Sequence, residues 1–305
     1  MFLHKLEQSK SLQWLLILII TILWGYSWVL MKDALQYMGP YTFSAFRFGT
    51  GALVMFVILF LWKVGKPPKS AIKHLIVVGL LQTSVVFLLV MYALQFIDAG
   101  KSSLLLYSMP LWSGLLAAIF LKEKITGIKQ IGIALGIIGL IVILGAETFG
   151  NFSVEVIWGE FLIVLSAISW GASNVYYRVH LKSLSQLQVN AYQMFFGTVA
   201  IVLVALIAEG GEPIQWNGEI IYYILFTGVL ASALCFTVWF LLLSVVDMVG
   251  ATMPSLLVPV FGLFFGWLLL GETITLSIWI GSALILTGVW LSSVGRAGAK
   301  SVSGK

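Results

Sequence analysis

The chain has 305 residues, of which 60% are hydrophobic and only 10% are charged, with a mean hydropathy of +1.05 and a net charge of +5. A soluble domain carries roughly 25% charged residues, so this composition excludes a soluble globular protein and predicts an all-α integral membrane protein. The single cysteine excludes an internal disulfide. No Cys/His cluster indicates a metal site, and we expect neither a metal nor another cofactor.

Ten apolar segments follow one another along the chain, each near the length of about 20 residues that spans a bilayer as a helix. Clusters of polar residues, Gly and Pro separate them. The predicted spans are 12–31, 43–62, 74–95, 102–121, 128–146, 158–178, 188–208, 220–243, 250–270 and 277–294. The first is expected to be a retained helix and not a cleaved signal. We expect segment 295–305, rich in Gly, Ser and Lys, to be a disordered cytoplasmic tail.

The sequence repeats itself after about half its length. Trp24-Gly25 in the first predicted helix returns as Trp170-Gly171, 146 residues later. From the third span onward the offset is 149, and it relates a longer set of residues: Asp98 to Asp247, Pro110 to Pro259, Glu123 to Glu272, Gly132 to Gly281 and Gly139 to Gly288. A duplication of this length predicts two units of five helices each, 12–146 and 158–294, as in many transporters.

Lys and Arg residues at the ends of the spans are unevenly distributed. With a cytoplasmic N-terminus, fourteen of them face the cytoplasm and two, Lys32 and Lys101, face the outside. This bias predicts a multi-pass plasma-membrane protein with both termini in the cytoplasm. Because each unit has an odd number of helices, the second unit must be inverted relative to the first. The positive net charge is thus a topology signal with some attraction to anionic lipid, and we expect no nucleic-acid partner.

These features resemble the EamA family of the drug/metabolite transporter superfamily over residues 14–294. The resemblance is carried by the two Trp-Gly pairs, Arg47-Phe48, Asp98-Ala99-Gly100, Pro110, Glu123 and the glycines of the fifth span. It implies ten helices with cytoplasmic termini and the export of small metabolites, often amino acids. The second half departs from the pattern, since Gln193 stands at the position of Arg47 and Gly250 at that of Lys101.

Aromatic and small polar residues recur on equivalent helices and predict a substrate cavity. Trp24, Ser27 and Trp28 share one face of the first helix, and the equivalent face of the sixth is expected to meet it across the pseudo-twofold axis. Aromatic rings would provide apolar and cation–π contacts, and the polar groups would orient a ligand. The alternative is that these residues only pack helices or bond between them. The predicted substrate-binding residues are Trp24, Ser27, Trp28, Gln82, Thr83, Phe87, Tyr107, Trp170, Ser173, Asn174, Tyr177, Ser232, Phe236 and Trp239.

Charged residues and prolines within or beside the spans have two interpretations each. Arg47 either anchors a substrate carboxylate or acts as a gate, or it has a structural role, in which it snorkels to the outer end of its helix or caps carbonyl groups. Pro110 and Pro259 predict kinks, beside the cavity or purely structural. Glu123 and Glu272 either cap the start of the helix that follows each of them or take part in coupling, and we expect the cap.

The leading hypothesis is a transporter that exports small metabolites such as amino acids by alternating access. No Asp or Glu is predicted deep inside a span, since Glu160 falls near the outer start of the sixth helix, so no proton relay is indicated. A membrane-embedded enzyme is disfavoured because the spans lack paired carboxylates and the chain lacks an HExxH sequence. A non-transporting receptor is the other alternative. Ten helices could enclose a cavity as a monomer, and the oligomeric state is left open.

Overall fold

The computed structural model describes residues 9–123, 125, 127–148, 153–245 and 256–301. Within these ranges the chain is helical and contains no strand. Eight helices are long and apolar enough to cross a membrane, and two shorter apolar helices follow them. The helices are α1 Lys10–Ala34, α2 Pro40–Leu61, α3 Lys69–Ala93, α4 Ala99–Leu121, α5 Gly127–Thr148, α6 Val154–His180, α7 Gln186–Ala208, α8 218–245, α9 Leu257–Leu270 and α10 Leu276–Ser301.

The helices follow the predicted order, and the largest differences lie in the last two. Helix α9 begins at Leu257, after a turn at Leu256, and residues 246–255, which include Asp247 of the repeat, lie outside the described part of the chain. Helix α10 continues to Ser301, into the segment for which we expected disorder. Residues 302–305 also lie outside the description.

Helix α4 is interrupted at Tyr107 and Ser108. Pro110 is the second residue of the segment that follows, where a residue without an amide N–H leaves no helical hydrogen bond unmade. The interruption therefore falls where the sequence indicated a kink. Pro259 lies in the first turn of α9. Residues 246–255, where a kink before this proline would fall, lie outside the described part of the chain.

Helices α3 and α8 each contain a π-helical stretch, Gly79–Val85 and Phe226–Leu234. The two stretches overlap when the halves are superposed by the offset of 149 residues. Such stretches are rare and occur frequently at functional sites. The sequence did not predict them, because the apolar pattern of a helix hardly changes when one turn widens.

Helix packing follows the sequence repeat. The equivalent helices α5 and α10 pack against each other, as do α2 and α7. Helix α1 packs on α9 and on α8, and α6 packs in the same way on α4 and α3. Helix α8 also packs on α2 as α3 does on α7. Each of these contacts has a counterpart when the halves are exchanged, which is the pattern of a pseudo-twofold axis.

Glycines allow α5 and α10 to approach closely. A Cβ atom on Gly132 would lie 2.6 Å from the carbonyl oxygen of Gly288, and one on Gly139 would lie 2.8 Å from that of Gly281. Backbone atoms so close leave room only for glycine. Because the earlier glycine of α5 meets the later glycine of α10, the two helices run antiparallel.

Candidate functional site

Arg47 lies in the second turn of α2, and only 6% of the residue is exposed. Its guanidinium carbon is 4.7 Å from the ring centre of Phe87 and 4.8 Å from that of Phe48, which are cation–π distances. Its nitrogens face the sulfur of Met31 and, at 3.4 Å, the hydroxyl of Ser232. The side chain is therefore buried among rings of α2 and α3.

The equivalent position of the second half makes the same kind of contact with a neutral side chain. Thr83 donates a hydrogen bond of 2.6 Å to Oε1 of Gln193, and Gln193 donates one of 3.1 Å to Oδ1 of Asn190. Thr83 is the repeat equivalent of Ser232, and Gln193 is that of Arg47. Both halves thus join a hydroxyl of a π-helical stretch to a polar side chain of the neighbouring helix, and one of the two side chains is charged.

The predicted aromatic residues form two matching clusters. Trp24 of α1 lies 5.3 Å from Phe236 and 5.8 Å from Trp239, both on α8. Trp170 of α6 lies 6.4 Å from Phe87 of α3, which is the equivalent contact. Helices α1 and α6 are not closely packed against each other. Each Trp-Gly helix instead lies against the π-containing helix of the other half.

The residues of α1 predicted to bind substrate mainly contact other parts of the protein. The indole nitrogen of Trp24 donates to the carbonyl oxygen of Ala231 at 2.8 Å, inside the π-helical stretch of α8. Ser27 donates to the carbonyl oxygen of Trp24, and Trp28 is buried in the main apolar core. Within the described part of the chain, the indole N–H of Trp170 has no hydrogen-bond acceptor, although its ring packs against the same core.

The predicted polar residues of α6 contact α3 and α4. Ser173 donates to Oε1 of Gln82 at 3.1 Å, and Asn174 donates to the hydroxyl of Ser113 at 3.2 Å. The two tyrosines among the predicted residues are partly buried. Tyr107 lies at the interruption of α4, and Tyr177 packs against an apolar cluster that includes Leu75 of α3. The structure therefore brings these residues to helix seams and does not gather all of them around one point.

Sequence reasoning missed a buried ion pair. Lys101 in the first turn of α4 pairs with Glu160 of α6, and they are 5% and 1% exposed. Glu160 lies in the second turn of α6, near the start of the helix as predicted, but the packing of α4 on α6 buries it, which the sequence did not predict. The repeat equivalents, Gly250 and Trp14, are uncharged. In the sequence, the sign of this pair was that each of its two charged residues has an uncharged equivalent in the other half.

Glu272, in the loop after α9, caps a helix of the other half. Its carboxylate accepts hydrogen bonds from the amide groups of Ala99 at 2.5 Å and Gly100 at 2.9 Å, at the start of α4. The prediction that it caps the following helix is wrong, because α9 packs on α4 and brings the loop there. Burial raises the pKa of the Glu272 carboxyl, and the two amide hydrogen bonds oppose that shift.

The equivalent carboxylate of the first half has a different partner. Glu123 pairs with Arg178 at the surface, whereas Lys32, the equivalent of Arg178, donates to the carbonyl oxygen of Ile97 at 2.9 Å. Residues 247–249, which correspond to the capped start of α4, lie outside the description. Among the described residues, the two carboxylates thus have different partners.

Comparison with known proteins decides the family. The model of the EamA-like transporter family matches residues 12–145 and 157–294, which are the two halves of the repeat. The chain belongs to this family. It is therefore a multi-pass membrane protein of a transporter family, and the resemblance seen in the sequence is confirmed.

Relatives agree with this assignment. An uncharacterized transporter of Bacillus subtilis, YoaV, is 34% identical over 91% of this chain and 95% of its own. A probable amino-acid metabolite efflux pump of Escherichia coli is 27% identical over 94% of this chain and 96% of its own. A crystal structure with a TM-score of 0.66 and 19% identity covers 94% of this chain and 97% of the other, which shows the shared fold.

Proposed function

We propose that this transporter exports small metabolites such as amino acids by alternating access around a central site between its halves. The observation that carries the proposal is the exchange symmetry of the packing, including the antiparallel contact of α5 with α10. A duplicated unit that packs antiparallel to its copy can form two similar conformations, one open to each side of a membrane.

In this proposal all ten helices cross the plasma membrane, with both termini in the cytoplasm. Helix α9 has 14 described residues, which extend about 21 Å. This is shorter than the hydrocarbon core of about 30 Å, and the predicted span supplies further apolar residues from position 250. The charge bias then assigns the ends that carry Lys32, Lys101 and Glu272 to the outside.

The contacts at that end support a conformation closed to the outside. Glu272 joins the end of α9 to the start of α4, and Lys101 joins α4 to α6. Both contacts would have to open before a substrate could leave to the outside. The efflux-pump relatives, named for amino-acid metabolites, support export and the substrate class.

Counterflow in proteoliposomes tests the proposal. Purified protein is reconstituted with a panel of unlabelled amino acids and related metabolites inside, and uptake of the labelled compound is measured. We expect saturable exchange of a subset. Absence of exchange for every compound would contradict the proposed function.

A pair of tryptophan variants in one helix provides the matched control. Trp170→Ala removes a ring at the proposed site and should reduce exchange, whereas Trp158→Ala removes a half-exposed ring of the same helix and should not. Equal exchange by the two variants would argue against the location of the site at α6.

A further inference from the structure

We propose that Arg47 binds a carboxylate group of the transported substrate, while the rings of Phe87 and Trp170 receive an apolar part of the same molecule. This inference rests on the proposed transport function and names its substrate class. The class is small organic acids with a free carboxylate and an apolar side chain, which includes apolar amino acids.

The first argument is that the donors of Arg47 are poorly used. A guanidinium carries five N–H donors in a rigid planar fork. Here they face the thioether of Met31, a weak acceptor, and the hydroxyl of Ser232 at 3.4 Å, a long hydrogen bond. No carboxylate of the described ranges lies within ion-pair distance of the guanidinium. A cation buried in a membrane helix is costly unless it is paired with an anion. A carboxylate can accept two parallel hydrogen bonds from the planar guanidinium.

The second argument comes from the equivalent position in the other half. Gln193 meets Thr83 and Asn190 and so satisfies the polar atoms of the same helix seam without a charge. An arginine is therefore not needed to join such a pair of helices. The positive charge of Arg47 is therefore not required for helix packing. A guanidinium is well suited to binding an anion.

The third argument is location. Arg47 lies seven residues after Pro40, about 10 Å along α2 from its outer end. Its contacts come from α1, α2 and α3 of the first half and, through Ser232, from α8 of the second. The contact between Phe87 and Trp170 continues the same seam to α6. A ligand held here would touch both halves, and alternating access requires that of a central site.

The rings distinguish an organic acid from a simple inorganic anion. Two phenyl faces already flank the guanidinium, and the half-buried indole of Trp170 adds further apolar surface beyond Phe87. Such walls contribute apolar contact that chloride or sulfate cannot use. We therefore expect affinity to depend on both the carboxylate and the size of the apolar side chain.

Acid and amide pairs test the inference directly. The probes are L-leucine, L-phenylalanine and L-methionine, each compared with its primary amide, which lacks the carboxylate. Counterflow and ligand-induced thermal stabilisation of the purified protein are measured. We expect the acids to exchange and stabilise, with the amides weaker by roughly tenfold to a hundredfold, as for the loss of hydrogen bonds to a charged group.

Arg47→Gln is the decisive variant, because the structure already accommodates glutamine at the equivalent position of the second half. It should fold and should lose the preference for acids over amides. Ser44→Ala is the matched control, since Ser44 is buried on α2 one turn earlier and donates only to the carbonyl oxygen of Pro40. This variant should keep the full preference.

Several outcomes would overturn the inference. These are equal behaviour of acids and amides in the unmodified protein, an intact preference in folded Arg47→Gln, or competition by chloride or sulfate as strong as by the acids. Exchange of amides or uncharged metabolites alone would also overturn it, yet would leave the transport function standing. No exchange of any compound would count against the transport function itself.

Discussion

Trp24 and Trp170 are equivalent in the sequence, but their indole groups have different partners. The Trp24 indole is bonded to the carbonyl oxygen of Ala231, whereas that of Trp170 has no acceptor in the described part of the chain. The same comparison separates Arg47 from Gln193. Equivalent positions of the two halves thus differ in their contacts. Trp24 and Gln193 are hydrogen-bonded within the protein, whereas Trp170 and Arg47 are candidates for substrate binding.

The tryptophan difference can be measured with one conservative substitution. Trp24→Phe should lower the free energy of unfolding by about 1 kcal/mol or more, because a buried carbonyl loses its donor. Trp170→Phe should leave thermal stability nearly unchanged and should weaken substrate exchange. Thermal unfolding in detergent and counterflow would be measured for both. Similar losses of stability would show that Trp170 is also a packing residue.

The buried pair of Lys101 and Glu160 should be sensitive to the loss of one partner. Lys101→Met leaves a carboxylate buried beside apolar groups and should cost roughly 3–5 kcal/mol of stability. The double variant Lys101→Met, Glu160→Leu should recover much of that loss. Denaturant unfolding of the single and double variants would measure it.

The exposed pair of Arg178 and Glu123 is the comparison for that experiment. Their side chains are 43% and 37% exposed, so Arg178→Ala should cost about 1 kcal/mol or less. A loss as large as that of Lys101→Met would mean that burial does not explain the difference between the pairs.

At the scale of helices, most of the architecture was predictable. Runs of apolar residues predicted the helix order, and Pro110 predicted the interruption of α4, because proline acts on its own backbone. The π-helical stretches were not predictable from hydropathy. Gly79 and Gly228 lie in these stretches against the backbones of α7 and α2, a contact that becomes visible only when the helices are packed.

The contact of α5 with α10 provides a test at this scale. Gly139→Ala would place a Cβ atom 2.8 Å from a backbone oxygen of α10, so the helices must separate and thermal stability should fall. Gly145→Ala in the same helix is the control, since no atom of the described residues lies within 4 Å of its added Cβ. Equal melting temperatures for the two variants would contradict the close contact.

At the scale of the whole molecule, contacts between the halves determine which side is closed. The carboxylate of Glu272 holds the start of α4 by accepting hydrogen bonds from the amide groups of Ala99 and Gly100. A glutamine side chain has only one oxygen, so its NH2 group would face one of these amide N–H groups, or the side chain would keep a single, weaker hydrogen bond. Glu272→Gln should therefore open the proposed outer side more often.

Cysteine labelling would measure that opening. With Cys235→Ala as background, Ser103→Cys places a thiol at the buried contact of α4 with Gly262 of α9. A membrane-impermeant maleimide should label it faster when Glu272→Gln is added. Glu219→Gln, which changes an acidic residue at the start of α8, should have no effect. Unchanged labelling would show that Glu272 does not hold this side closed.

Local chemistry along the chain was enough to predict a transporter of two repeated units, since hydropathy, loop charge and repeated residues are properties of the sequence. It also supplied the candidates Arg47 and Trp170. The inward burial of Arg47, the pairing of Lys101 with Glu160 and the capping of α4 by Glu272 depended on the tertiary structure. Their partners are distant in the chain, and only the choice of which helices pack together brings such groups within bonding distance.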